Sequence, residues 1–192
     1  ISDYSDKDAD DVILGRLALQ HFLNDESMLF ASVTQGYKGG AFEVGGGDDI
    51  EPIDPETSLS YEIGAKTTLL DRRLQFNITG FYSTYEDYQA QRSVFVNNEL
   101  RTTLTNVGEL ESKGVEIDSV ALLGEQLSLT FGLAWIDATV KEYPGANCYP
   151  GQTEEQGCVE LIPGDRSTRV QDLAGKDLNN SPEWKFNLGA RY

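Results

Sequence analysis

The chain has 192 residues, 39% of them hydrophobic, and a formal charge of -17. That length suits one good-sized domain or two small ones, no run approaches the roughly 18 apolar residues of a membrane helix, and the charge excludes a polyphosphate partner such as nucleic acid. Aromatic residues reach 10%, too many for a disordered acidic chain, so the sequence is expected to fold, and mainly as β-structure.

The first residues form an acidic run (Asp3, Asp6, Asp8, Asp10, Asp11) with neither a basic nor an apolar leader region. A leader is therefore expected either to have been removed or never to have belonged to this stretch, as in an internal piece of a longer protein. Alternation of apolar and polar side chains then places strands at about 14–23, 27–38, 58–70, 73–91, 101–123, 126–142 and 180–192. The alternation is plainest where Leu74, Phe76, Ile78 and Tyr82 oppose Gln75, Asn77, Thr79 and Ser83. It recurs where Leu127, Leu129, Phe131, Leu133 and Trp135 oppose Ser128, Thr130, Gly132 and Ala134, and again in Phe186, Leu188, Ala190 and Tyr192 against Asn187, Gly189 and Arg191.

The links between these strands alternate in length. Short ones at 24–26, 71–72 and 124–125 fall on one end, and longer ones at 39–57, around 97–98 and at 144–179 fall on the other. Strands of a soluble sandwich run to about five or six residues, whereas these are about twice that. Long tilted strands with short turns at one end and long loops at the other are the requirement of a transmembrane β-barrel, whose apolar parity faces lipid and whose polar parity faces the lumen. The parity rule assigns Glu62 and Lys66 to the lumen, and Glu111, Lys113, Glu116 and Asp118 to the lumen or the strand rim. Gly108 and Gly114 are expected to mark a bulge or a close backbone approach, and Pro182 a strand start. Tyr37, Phe42, Tyr82, Tyr85, Tyr88, Trp135 and Tyr143 collect toward the long-loop ends, where an interfacial aromatic girdle belongs.

Cys148 and Cys158 share one Gly/Pro-rich segment, "YPGANCYPGQTEEQGCVELIPG". The distant His21 is the single histidine, so a zinc site lacks ligands; a local disulfide is favoured over two free thiols and implies an oxidising compartment. "EVGGGDDIEPIDPE" lacks the Lys and Ser/Thr of a phosphate-binding loop; Asp48, Asp49, Glu51 and Asp54 offer calcium-type oxygens without a recognised spacing, against the plainer reading of a solvated loop. Glu86 and Asp87 resemble a glycosidase pair only as any two acids do among 32. With one histidine no nucleophilic triad can be assembled, and the chain is expected to be non-enzymatic, with no cofactor.

The blocks "MLFASVTQGYKGGAFE", "PETSLSYEIGAKTTLLDRRLQFNITGFYSTYEDYQAQ", "TNVGELESKGVEIDSVALLGEQLSLTFGLAWIDATVKEYP" and "LNNSPEWKFNLGARY", in this order and spacing, resemble the C-terminal part of the β-barrel of TonB-dependent outer-membrane receptors. The resemblance implies an all-β, antiparallel segment of about seven long strands from a barrel of 22, spanning 1–192, without the family's plug domain and remaining strands. It further implies the outer membrane of a Gram-negative-type bacterium, lipid and, through the plug, the TonB complex as partners. The activity implied is energised uptake of a scarce ligand such as a ferric siderophore, haem, cobalamin or an oligosaccharide. Candidate ligand contacts are Tyr37, Lys38 and Phe42 in the first long loop, Arg92 and Asn97 in the second, and Tyr149, Arg166 and Arg169 in the cysteine loop. Both arginines have an alternative as salt-bridge partners of Asp165 or Asp172. Two other readings stand beside this one: a passive porin, and a soluble all-β binding module.

Overall fold

A computed structural model of the chain describes residues 11–43, 51–96, 99–164 and 168–192. Strands β1 (Arg16–Asn24) and β2 (Ser27–Lys38) are followed by the short β3 (Ala41–Glu43) and β4 (Glu51–Ile53), then by β5 (Glu56–Leu69) and β6 (Leu74–Glu86). A hairpin of β7 (Tyr88–Val96) and β8 (Glu99–Val107) precedes β9 (Leu110–Leu123) and β10 (Leu127–Val140). Three further short strands, β11 (Ala146–Asn147), β12 (Val159–Glu160) and β13 (Arg169–Gln171), lead to β14 (Trp184–Arg191).

The seven long strands form one sheet in the order β1-β2-β5-β6-β9-β10-β14, each antiparallel to its neighbour. The remaining strands pair among themselves in three small sheets within the long connections. Each short turn has a local cause. Asn24 Oδ1 accepts the Glu26 N–H at 2.9 Å, an Asx turn that lets three atoms of side chain replace a backbone partner. Leu70, Asp71 and Arg72 all take positive φ (57°, 53° and 67°), and Arg73 N–H closes the reversal on Leu70 O at 3.1 Å. Gly124 supplies the left-handed residue of the third turn, at φ 74°.

Register shows what the alternation accomplishes. Leu19, Ala31, Ile63, Gly80, Val115, Trp135 and Trp184 form one row across all seven strands. His21, Leu29, Ala65, Ile78, Ile117, Leu133 and Phe186 form the next row on the same face. The opposite face carries Lys66, Asn77 and Asp118 in one row and Glu116, Thr79 and Lys185 in the next. Exposure is inverted relative to a water-soluble sheet. Ile63 is 69% exposed although it sits on a central strand, while Ser32 and Ser83 on the polar face are 6% and 7% exposed. A bare apolar face this wide is stable against hydrocarbon, and the polar face is the lumen. Glu62 and Lys66 lie on the lumen parity as expected, as do Glu116 and Asp118; Glu111 and Lys113 lie on the outward parity, at the rim.

Several sequence expectations are corrected. The strand expected at 73–91 ends at Glu86, because Asp87 turns the chain with φ 52°. The strand expected at 101–123 is two strands separated at 108–109, and β7 and β8 pair as an extramembrane hairpin rather than as membrane strands; the link expected around 97–98 lies outside the described residues. The last strand begins at Trp184, not at 180. Gly114 makes no bulge and stays in the ladder, and of its two expected roles it takes the close approach, with Phe81 2.9 Å from where its Cβ would be. Among the expected girdle residues, Tyr82 and Trp135 lie on the outward face, but Tyr85 has the lumen parity and Tyr88 opens the hairpin. Tyr61 and Trp184 complete the outward belt instead: Tyr61 pairs with Tyr82 and Trp135 with Trp184, in adjacent rows.

Candidate functional site

The buried apolar side chains Ile53, Val107, Leu110, Val140, Ala146 and Cys158 all lie in the long connections or at the strand ends that feed them. The packed core among the described residues is therefore a cap beyond the sheet, assembled from three loops. β4 packs against β8, and β11 against β7.

The first loop leaves β2 at Lys38 and returns through Asp54 to β5. Gln89, 6% exposed, donates its side-chain Nε2–H to the carbonyls of Gly39 (2.9 Å) and Asp54 (3.0 Å), and its backbone N–H to Glu56 Oε2 (2.9 Å). Asn106 lies opposite Gln89 in the hairpin. It donates to the carbonyls of Asp54 (2.9 Å) and Asp87 (2.7 Å) and accepts the Asp54 N–H (2.8 Å). Lys38 Nζ lies 3.5 Å from Glu56 Oε2 beside them.

The third loop is stapled by a disulfide between Cys148 and Cys158. Around it Gln152, 3% exposed, accepts the Tyr149 N–H (3.0 Å) and donates to Gln156 O (3.1 Å) and Gln171 Oε1 (2.9 Å). Thr153 caps a single 3-10 turn, Glu154–Gln156, and Gly157 ends it at φ 90°. β13 pairs with both β11 and β12, so the staple closes a small three-stranded unit.

Among the described residues, the sequence candidates do not meet in one pocket. Tyr37 and Lys38 are adjacent but take opposite parities: Tyr37 pairs with Thr57 on the outward parity and borders a cavity of about 340 Å³ beside Gln35, Thr57 and Glu86. Phe42 faces Pro52 within the first loop, and Arg92 faces Thr103 in the hairpin. Tyr149 is 52% exposed. Arg169 donates to Gln152 O and lies 4.0 Å from Glu160; Asp165, one of its two expected salt-bridge partners, lies outside the described residues. Asn97 and Arg166 lie outside the described residues, as do Asp48 and Asp49 of the calcium candidate. Among the described residues no His/Cys/Asp/Glu group has the arrangement of a metal site. Glu86 and Asp87 mark the end of β6, where Asp87 contributes a carbonyl to Asn106.

Sequence reasoning passed over three loop amides, the buried Gln89 and Gln152 and the half-buried Asn106. The sequence carried no signal for Gln89 and Asn106, because the breaks at Asp87 and at 108–109 that set them at the roots of the hairpin show only in the fold.

The family model of the TonB-dependent receptor-like β-barrel matches residues 2–192. The pesticin receptor of Yersinia pestis is 30% identical over 115 residues, 59% of this chain and 16% of that protein. The metal-pseudopaline receptor CntO of Pseudomonas aeruginosa is 28% identical over 127 residues, 65% of this chain and 16% of that protein. The crystal structure of the ferric yersiniabactin uptake receptor FyuA from Yersinia pestis superposes with a TM-score of 0.65 at 20% identity, over 94% of this chain and 23% of that one. The siderophore receptor PiuA from Acinetobacter baumannii does so with a TM-score of 0.62 at 19% identity, over 91% and 23%. The chain thus spans about a sixth of the length of the curated relatives it matches.

Proposed function

The chain belongs to the TonB-dependent receptor family, as part of the outer-membrane β-barrel, and from that premise we propose that it forms one wall and three capping loops of a receptor that imports a metal chelate. The observation that carries this reading is the division of labour within the chain: a lipid-facing sheet below and a packed cap above, at the end where an external ligand arrives. Proteins named for metal-pseudopaline, ferric yersiniabactin and a siderophore support a chelated metal over a sugar or cobalamin as the cargo class. In this reading the plug and the TonB complex act on the receptor from the periplasmic side. The wall contributes no bond-making chemistry; its work is to hold the loops and to line a polar passage.

The test uses the whole receptor in cells stripped of their other chelate receptors. A panel of radio-iron chelates is offered with and without a protonophore. Saturable uptake that stops with the protonophore supports the proposal. Uptake that is linear in concentration and indifferent to the protonophore would establish a passive pore instead.

A further inference from the structure

The first loop and the β7–β8 hairpin are separate excursions of the chain, yet their roots share one set of hydrogen bonds. Gly39 opens the first loop and Asp54 ends it, and the single carboxamide of Gln89 grips the carbonyls of both. The residue facing it across the hairpin, Asn106, exchanges two hydrogen bonds with the backbone of Asp54 and donates a third to Asp87. Ile53 and Val107, the apolar neighbours of Asp54 and Asn106 in sequence, are 6% and 3% exposed. These two side chains flank a rung whose donors and acceptors are met mostly by the other loop: the bonds of Gln89 are part-buried and those of Asn106 lie at the surface, and loss of either amide removes bonds that cross between the loops.

We propose that Gln89 and Asn106 are positioning residues, a clasp that makes the first loop and the hairpin one body, so that a ligand moving either loop moves both. The ligand clause rests on the uptake reading above; the clasp itself does not. The bonds that cross between the loops join residues 35 to 52 apart in sequence. A purely local cap would satisfy its own hairpin, whereas most of these bonds go to the first loop.

Hydrogen exchange on the full-length receptor in detergent, without ligand, reads this directly. Gln89→Ala or Asn106→Ala is expected to raise exchange by roughly tenfold in both the first-loop neck and the hairpin. The double variant should go no further than the larger single one, because both substitutions open the same joint. Gln89→Glu keeps the size but, when ionised, donates nothing; its loop should tighten as the pH falls and the carboxyl regains one donor. Exchange confined to the hairpin, additive singles, or a pH-independent Gln89→Glu variant would overturn the clasp. A heat-modifiable folded band on gels confirms that each variant is still a barrel. If no chelate of the uptake panel is imported, the transport reading fails while the exchange result stands on its own.

Discussion

Glycines on the two faces of the sheet meet different demands, and single methyl groups separate them. A Cβ at Gly64 on the lumen face falls 2.5 Å from the Ile78 carbonyl oxygen and 2.6 Å from the Phe30 ring of the neighbouring strand. Lys66 Nζ caps the same ring at 5.5 Å from its centroid. At Gly80, one strand over and on the lipid face, the nearest atom to such a Cβ is 3.9 Å away. Gly64→Ala is therefore expected to destabilise the barrel by about 1–3 kcal/mol through overpacking, and Gly80→Ala to leave it nearly unchanged. Urea unfolding of the two variants in lipid vesicles checks this; equal midpoints would refute it. The sequence shows glycines within strands as sites of close approach, and Gly114 beneath Phe81 fits that reading. It does not show which glycine has a ring over it, because that depends on the register between strands far apart in sequence. Gln89 and Asn106 were illegible for the same reason: an amide in a loop becomes a joint only when another loop arrives.

Within an element, a shift of one residue exchanges lipid for lumen. Ile78 lies mid-strand on the outward face beside Ala65 and Ile117, and Thr79 lies on the lumen face beside Gly64 and Glu116. Ile78→Lys is expected to cost about 2–4 kcal/mol, while Thr79→Lys gains an acidic neighbour and is tolerated. Folding yield into vesicles measures both, and indifference at Ile78 would contradict the lipid-facing assignment. Periodicity made the long strands legible, with ends correct to a few residues at β2 and β10. It failed at β6 and β9 because alternation continues from the sheet into the hairpin without a break in polarity; only the positive φ of Asp87 and the 108–109 break divide them. The cysteine loop is a separable element. Its cysteines are 10 residues apart, and closing such a loop contributes about 3 kcal/mol to local order. Cys148→Ser with Cys158→Ser should open 141–183 to protease while the barrel keeps its heat-modifiable mobility. Loss of that mobility would show that the loop also holds the wall.

For the molecule as a whole, the vertical order of side chains on the outward face sets its place in the bilayer. From Leu74 to Tyr82 the outward residues of β6 are apolar or small, a span that matches the roughly 9–11 residues a tilted strand needs to cross hydrocarbon. Above them come the aromatic pairs, with Tyr61 and Tyr82 at 6.5 Å between centroids. Ions share and extend the Tyr61–Tyr82 row: Lys113 pairs with Tyr82 and lies 3.2 Å from Asp137, and Lys141 lies 3.1 Å from Glu111, whose second oxygen accepts the Tyr82 hydroxyl at 2.9 Å. Such an order places Trp135 and Trp184 at the headgroup boundary, with their rings toward lipid. In a receptor whose other tryptophans are replaced, lipids brominated near the carbonyl end should quench these two more strongly than lipids brominated at the terminal methyl. Equal quenching at both depths would mean the belt is not at an interface. Absence of quenching would mean that protein, not lipid, covers the face, because only direct contact with the brominated chains removes the emission.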